Sequence, residues 1–424
     1  MKTKIVLFLI LSTLSVFGQS LHNIVKKGLE HDPRIKVLVH EYDIALKDIS
    51  LVEASYRPTV DVSGFIGKER TRTPANLGDL KTYTAKNIGI TGKYNLFSGY
   101  KKKFLIKEKE AAARLAENKL KEGLIKVSKE ISIAYIDMIK KYQIYRKYQK
   151  NITNYKRTLK KVSFKIKDGG GRDSDLFQTK SRMNYEETNL LTAKQQFEDS
   201  KIALGKYLGK VPDIAGMRDP KVNQKYLNLK RLIRQTKKYN ASLGNLVVQK
   251  EISNFLMEQQ KSNMYPTIDF EISKNWAEDQ HGILGVDNSD RIGLNLKYNI
   301  YNGGADTLNI EKAKIQILKS GDSIEDARRE ILVSLKRTYN NYLMYRKKLS
   351  VINKHINNAK KTERLYIKEE EETGERSIID ILNIQQEYNS AEITKVDTKY
   401  TAMQLYFDLL ANTSEILDYF KISR

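Results

Sequence analysis

The 424-residue sequence contains no cysteine, which excludes disulfide bonds and thiolate metal sites. Proline is scarce: there are six, and none lies between residues 75 and 211 or after residue 266. Because proline interrupts helices, these two stretches permit very long helices. Beyond the N-terminal segment, no apolar run is long enough to cross a bilayer as a helix.

Residue patterns typical of catalysis are also missing. The five histidines are scattered, without the spacing of a metal-binding pair. Gly169, Gly170 and Gly171 are not followed by the Lys-Ser or Lys-Thr of a phosphate loop, and there is no Gly-x-Ser-x-Gly elbow. The acidic run at 369–372 fits a solvated helix face better than a cation site. We therefore expect no enzyme, no catalytic residue, no metal and no cofactor.

Residues 1–18 predict a secretory signal peptide. Lys2 and Lys4 precede an apolar segment from Ile5 to Leu14, and Gly18 offers a small residue for cleavage. The alternative, a short membrane anchor, is disfavoured because this segment cannot span a hydrocarbon core of about 30 Å as a helix. We therefore expect the mature chain to be exported.

The formal net charge is +24, or +22 once the two signal lysines are removed (24 − 2). Such charge suits nucleic acid, an anionic membrane surface or an acidic cargo. The lysines are interleaved with glutamates along helical stretches, which favours a solvated face on long helices. Export argues further against a nucleic-acid partner.

Two halves of the chain repeat each other. The segment YNLFSG at 94–99 returns as YNIYNG at 298–303, an offset of 204 residues (298 − 94). This period is too long for a solenoid unit and indicates a duplicated half-protein. We assign a first repeat to 19–212, a linker to 213–230 and a second repeat to 231–424.

Each repeat predicts a long helical hairpin. Apolar residues recur at helical spacing through about 100–167 and 305–372, which corresponds to helices of about 100 Å. These helices end at Gly169 and Gly374, so the tips lie near 169–175 and 373–380. A second helix should follow each tip, with Ser174 and Ser377 as N-caps.

Each repeat also predicts two strands, at about 58–70 and 84–97 and at about 266–276 and 290–301. Pro58 and Pro266 stand where the chain enters the first strand of each pair. Roughly ten residues of strict apolar-polar alternation is the pattern of a transmembrane β-strand. The alternative is an amphipathic hairpin on a soluble core. The polar segments 71–84 and 277–290 are expected to be loops.

Four strands cannot stand alone in lipid, because unpaired backbone groups at an open sheet edge cost several kcal/mol each. Identical chains solve this problem by closing a ring. Three chains of four strands would give a barrel of twelve, and their helices would close a second, helical cylinder.

At this point the sequence resembles the TolC family of outer-membrane channels. The resemblance rests on the duplicated plan, on Tyr-Arg-Pro58 and Tyr-Pro266, on the glycines that follow the strands, and on the tips at 171–179 and 374–382. It implies a mainly α-helical chain with a membrane β-barrel portion. It also implies a homotrimer in the outer membrane of a Gram-negative bacterium, in contact with its lipid, with a long periplasmic helical barrel.

The resemblance further implies a passive exit duct. Its partners would be a periplasmic adaptor and an inner-membrane transporter, either ABC-type or proton-driven. Cargo stays open between drugs and secreted proteins, although the tip Gly-Arg-x-Ser-Asp at 171–175 mildly favours type I secretion. The alternative function is a soluble periplasmic coiled-coil scaffold, which would explain the helices but not the alternating strands.

The resemblance also implies a periplasmic gate. Arg376 would bond Ser174 and Asp175 of the first tip, because its planar fork can hold a carboxylate and a hydroxyl together. Asp380 stands opposite Asp175, and inward-facing aspartates would favour cations. Gly169, Gly170, Gly171 and Gly374 would form the tip hinges. Glu371 and Asn383 depart from the family, which often has an aromatic and a carboxylate there.

Overall fold

The structure is a computed structural model that describes residues 20–72, 80–222, 227–281, 284–374 and 376–422. The predicted signal peptide lies outside the described residues. The chain is mainly helical and carries one sheet of four antiparallel strands. The helices are α1 (Leu21–His31), α2 (Pro33–Ala54), α3 (Lys101–Lys167), α4 (Asp173–Leu208), α5 (Leu229–Tyr239), α6 (Ala241–Lys261), α7 (Ala305–Glu372), α8 (Ile378–Asn412) and α9 (Glu415–Tyr419). The strands are β1 (Thr59–Arg72), β2 (Leu80–Ser98), β3 (Thr267–Glu278) and β4 (Val286–Lys297).

The element order confirms the predicted duplication. Each half contains two strands, a very long helix and a second helix. The long helices have 67 and 68 residues, and the helices that follow have 36 and 35. None of the helices in the described parts of the chain has both the length and the apolar character that crossing a membrane requires.

One predicted helix start is correct and one is wrong. The Ser377 hydroxyl caps α8 by accepting a hydrogen bond from the Ile379 N–H at 3.1 Å. Helix α4 instead begins at Asp173, with Arg172 at the N-cap and no side-chain cap. Ser174 therefore lies inside the first turn. Two aspartates in that turn supply negative charge to the helix N-terminus, which stabilises it without a hydroxyl cap.

The sheet has the order β1-β2-β3-β4, and both hairpins extend further than expected. Arg72 pairs with Leu80, and Glu278 pairs with Val286. The ends of the segments that we expected to be loops are therefore strand. Polar residues can form part of a β-strand because the hydrogen bonds between strands are made by the backbone. The polar composition of these segments therefore gave the wrong strand ends. In the other direction, β4 ends at Lys297 rather than near residue 301.

The strand register gives the sheet one apolar and one polar face. Neighbouring residues across the four strands, such as Val60, Gly92, Ile272 and Ile292, all have even numbers. The apolar side chains of this face are exposed: Val60, Val62, Ile66, Ile88, Ile90, Ile272, Ile292, Leu294 and Leu296. Odd-numbered positions carry mostly polar residues. The sheet therefore exposes its apolar face rather than burying it.

The chain divides into two compact units. The first comprises the described parts of Met1–Ile35, Glu122–Asn240 and Glu330–Arg424, and contains both tips. Its largest fully buried side chains include Tyr135 on α3 and Tyr406 and Phe407 on α8. The second comprises Lys36–Lys121 and Ala241–Arg329, and contains the sheet.

Candidate functional site

The first tip is built on a glycine-dependent helix end. Gly169 has a φ of +79°, in the left-handed region. Its N–H donates to the Ile166 carbonyl at 3.1 Å, and the Gly170 N–H donates to the Lys165 carbonyl at 3.0 Å. These two bonds form a Schellman motif, which satisfies the last carbonyls of α3. The chain therefore leaves α3 in one defined direction.

Gly171 is required for a different reason. A Cβ atom at Gly171 would lie 2.9 Å from the Ile166 backbone nitrogen, so the chain crosses the last turn of α3 too closely for a side chain. At Gly170 the nearest atom would be 4.0 Å away, which leaves room for one. Of the three glycines at the first tip, Gly169 and Gly171 are therefore required by geometry.

At the second tip, helix α7 ends in a different kind of cap. Gly374 has a φ of +68°, and its N–H donates to the Glu370 carbonyl at 3.2 Å. This single bond is the simpler left-handed cap.

Arg376 is held by its own hairpin. Its Nη2 lies 2.8 Å from Glu369 Oε2, its Nη1 lies 3.6 Å from Asp380 Oδ2, and its guanidinium stacks 4.0 Å from the Tyr366 ring centroid. The predicted gate residues Arg376 and Asp380 are thus together. Within the described residues of one chain, Arg376 contacts neither Ser174 nor Asp175. The latch between the two tips stays a prediction.

The acidic run at 369–372 lies mostly on a solvated face, as expected, with the side chains of Glu369, Glu371 and Glu372 exposed at 48%, 55% and 63%. Its four carboxylates contact basic side chains, in the pairs Glu369–Arg376, Glu370–Lys165, Glu371–Lys161 and Glu372–Lys368. The Glu370 side chain is only 10% exposed. The hydrogen bond from Lys161, 2.6 Å long, lowers the pKa of Glu371.

Two of these pairs join different helices. Lys161 and Lys165 are on α3, whereas Glu370 and Glu371 are on α7. We call these four residues the α3–α7 clasp. A further hydrogen bond joins α4 to α8, from Arg182 Nη2 to Asn383 Oδ1 at 2.9 Å. Asn383, where the resemblance implies a carboxylate in some relatives, therefore joins the two hairpins.

The packing beside the clasp is incomplete. A cavity of about 540 Å³ lies there, lined by residues of α3, α7 and α8 that include Phe164, Ile367 and Glu363. Burial raises the pKa of the Glu363 carboxyl. Ion pairs therefore join α3 and α7 at this end, beside buried apolar side chains such as Val162, Ile381 and Leu382.

Sequence reasoning missed Lys161, Lys165 and Arg182. The available signal was the pairing of a basic end on α3 with an acidic end on α7, at equivalent positions of the two repeats. Among the described residues, no group of His, Asp and Glu side chains is arranged to hold a metal ion.

The decisive comparison is with known families. The model of the family described as "Outer membrane efflux protein" matches residues 24–210 and 232–411, which together cover most of both repeats. The chain belongs to the outer membrane efflux protein family. This membership confirms the predicted TolC-family resemblance. It also agrees with the expectation that the chain is not an enzyme, because the family and its structural neighbours are channels.

Individual relatives are distant in sequence and close in fold. The outer membrane efflux protein BepC of Brucella suis is 19% identical over 373 residues, covering 87% of this chain and 80% of BepC. The CusC channel structure superposes with a TM-score of 0.80 at 12% identity, covering 96% of this chain and 95% of CusC. Campylobacter jejuni CmeC gives 0.79 at 14% identity, covering 93% and 85%. The predicted fold class is thereby confirmed for the single chain, and the family is one of the outer membrane.

Proposed function

We propose that three copies of this outer membrane efflux protein close a duct that carries substrates across the outer membrane. The sheet has two open edges, β1 and β4, whose outer backbone groups have no partner strand among the described residues. Such edges are costly in lipid. Pairing β1 of one copy with β4 of the next satisfies both edges, and three copies of four strands make a closed barrel of twelve.

The exposed apolar face is the observation that carries this proposal. A water-soluble scaffold would bury the face that contains Val62, Ile272 and Leu294, yet all three side chains are more than half exposed, at 69%, 51% and 64%. Lipid is the solvent that suits such a face. The polar face then lines the duct, as in other transmembrane barrels.

The helical hairpins would extend into the periplasm, because the helices join the sheet at the end opposite the two hairpin turns. A duct of this kind holds no energy source of its own. We therefore propose a periplasmic adaptor and an inner-membrane transporter, either ABC-type or proton-driven, as partners. Efflux of small molecules follows the family, and type I protein secretion is the other cargo class.

We further propose that the tips form the gate. The α3–α7 clasp would hold the two hairpins of one chain together in the closed state. Arg376 would bond Ser174 and Asp175 of a neighbouring hairpin, and Asp380 would stand opposite Asp175. The tip glycines Gly169, Gly170, Gly171 and Gly374 would allow the helix ends to move.

The absence of cysteine makes the assembly directly testable by disulfide cross-linking. Asp61→Cys on β1 is combined in turn with Arg291→Cys, Gly293→Cys or Asn295→Cys on β4, which samples three registers of the β1–β4 contact. A disulfide requires Cα atoms within about 7 Å, so only adjacent strands react. We expect one register to give covalent dimers and closed trimers on non-reducing gels.

The control combines Asp61→Cys with Ser273→Cys on β3, which lies two strands from β1 in the same sheet. It should give only monomers. If no register cross-links, and the purified chain is a monomer that needs no detergent, the duct is wrong and the soluble scaffold is favoured.

A further inference from the structure

The outward face of β1 changes character part-way along the strand. Val60, Val62 and Ile66 are exposed on the apolar face of the sheet, at 71%, 69% and 73%. The same face continues with Lys68, Arg70 and Arg72. All three are exposed, whereas the alternate residues at 67, 69 and 71 are half-buried. The outward face of β1 is therefore apolar from residue 60 to residue 66 and basic from residue 68 to residue 72.

These three cations have no acidic partner among the residues that the structure describes. Their cross-strand neighbours on β2 are Thr84, Thr82 and Leu80, which are uncharged. Glu69, the carboxylate within this stretch, belongs to the opposite face. There it accepts a hydrogen bond from the His281 N–H at 3.1 Å and lies 3.4 Å from the His281 ring.

The basic end is specific to the first hairpin. In the second hairpin, the corresponding face carries Glu278, Asn288 and Asp290, and its cation Lys274 is paired with Asp290 at 3.4 Å. Lys86, the next cation along this face of β2, is already paired with Glu278 at 2.9 Å. The unpaired positive charge is therefore concentrated on β1, beside two threonine hydroxyls on β2.

The spacing matches the boundary of a membrane. Each step of two residues advances about 6.7 Å along a strand. Lys68 therefore lies about 7 Å beyond Ile66, and Arg72 about 20 Å beyond it. If the apolar rows contact acyl chains, the basic rows stand at the depth of the lipid head groups and just above them.

We propose that Lys68, Arg70 and Arg72, with Thr82 and Thr84, bind the phosphate groups of a phosphorylated glycolipid in the outer leaflet of the outer membrane. The proposal rests on the proposed function, which puts the hairpin turns at the outer surface. Guanidinium groups bind phosphate oxygens in a bidentate manner, and the hydroxyls donate further hydrogen bonds. A lipid bound here would occupy the outside of the barrel wall, next to the β1 edge that the neighbouring copy covers.

The single tryptophan of the chain makes the site measurable. Trp276 lies on the same face of the sheet and is 36% exposed. The full-length protein is reconstituted into phosphatidylcholine vesicles that contain dansyl-labelled lipid A with two phosphates. Energy transfer from Trp276 to the dansyl group then reports how strongly the glycolipid gathers around the protein. Unlabelled lipid A, its dephosphorylated form and inorganic phosphate serve as competitors.

We expect unlabelled lipid A to compete, and neither the dephosphorylated lipid nor inorganic phosphate at equal concentration to do so. Neutralising the site with Lys68→Gln, Arg70→Gln and Arg72→Gln should weaken the apparent affinity by roughly 100-fold, at about fivefold per charge. The matched control removes three positive charges from the opposite face of the same sheet, with Lys81→Gln, Lys93→Gln and Lys297→Gln. It should keep the parent affinity.

Equal losses in both triple variants would show a general charge effect and overturn the site. An unchanged affinity in the outward variant, or full competition by inorganic phosphate, would overturn it too. In either case trimers would still form and insert, so the duct would stand. If the chain fails to trimerise and insert into vesicles, the duct and the lipid site both fail.

Discussion

Breaking one ion pair of the α3–α7 clasp should open the channel. The substitution is Lys165→Met, which keeps much of the side-chain volume and removes the charge that faces Glu370. The Glu370 side chain is 10% exposed and that of Lys165 is 44% exposed, so the pair is neither fully buried nor at the open surface. Its loss leaves a shielded carboxylate without its cation.

The magnitude follows from that intermediate burial. Exposed ion pairs contribute ~0.2–1 kcal/mol, whereas removal of one partner from a buried pair costs ~3–5 kcal/mol. We therefore expect the closed state to lose about 1–2 kcal/mol, which corresponds to roughly a 5- to 30-fold shift of the closed–open equilibrium. Single-channel recording in planar lipid bilayers should show a higher open probability or a larger mean conductance.

Two further variants make the experiment decisive. Lys160→Met removes an exposed lysine five residues earlier on the same helix and should behave as the parent. The exchange Lys165→Glu with Glu370→Lys restores the opposite charges and should recover the closed channel. If Lys165→Met conducts like Lys160→Met, or if the exchange stays open, the clasp does not hold the gate.

Two other predictions test the tips and the helical core. Gly171→Ala should loosen the first tip, because its Cβ would lie 2.9 Å from a backbone nitrogen of α3; trypsin should then cleave faster after Lys167, while Gly170→Ala, which has room, stays resistant. Burial raises the pKa of Glu186, whose Oε2 has no hydrogen-bond partner among the described residues. A raised folded-state pKa stabilises the protein below the unfolded pKa of about 4.5, and this stabilisation is lost as pH rises through the folded value. Glu186→Gln should therefore melt at a higher temperature than the parent at pH 8, and this gain in stability should shrink toward pH 4. For each unit by which folding raises the pKa of Glu186, the gain at pH 8 is ~1.4 kcal/mol. Circular dichroism in detergent measures it, and the exposed Glu187→Gln should give no such gain.

Local periodicity explains what the sequence predicts well. The long helices were expected at about 100–167 and 305–372, and they are Lys101–Lys167 and Ala305–Glu372. The alternation of β4 likewise predicts its exposed apolar face. These signals depend on neighbours a few residues apart, which a single sequence displays directly. The strand ends were less accurate, because polar residues pair in a ladder as readily as they form loops.

The contacts between distant residues could not be read in the same way. Within one chain, Arg376 contacts Glu369, Tyr366 and Asp380, and local periodicity does not predict these contacts. The expected bond from Arg376 to the first tip stays a prediction. The long, flexible side chain of Arg376 can reach several carboxylates, and the packing of both hairpins determines which of them it contacts. The Ser174 cap failed for a related reason, since neighbouring aspartates already stabilise that helix start.

The duplicated sequence indicates why the α3–α7 clasp forms. Lys165 lies four residues before Gly169, and Glu370 lies four residues before Gly374, so the two partners occupy equivalent positions of the two repeats. The last turn of α3 carries Lys165 and Lys167, whereas that of α7 contains no basic residue. Because a helix C-terminus is negative, the acidic end of α7 is unfavourable in isolation. The lysines of α3 offset that cost only while the two helix ends stay together. The same charges that destabilise the separated α7 end therefore make the closed arrangement sensitive to the loss of a single lysine.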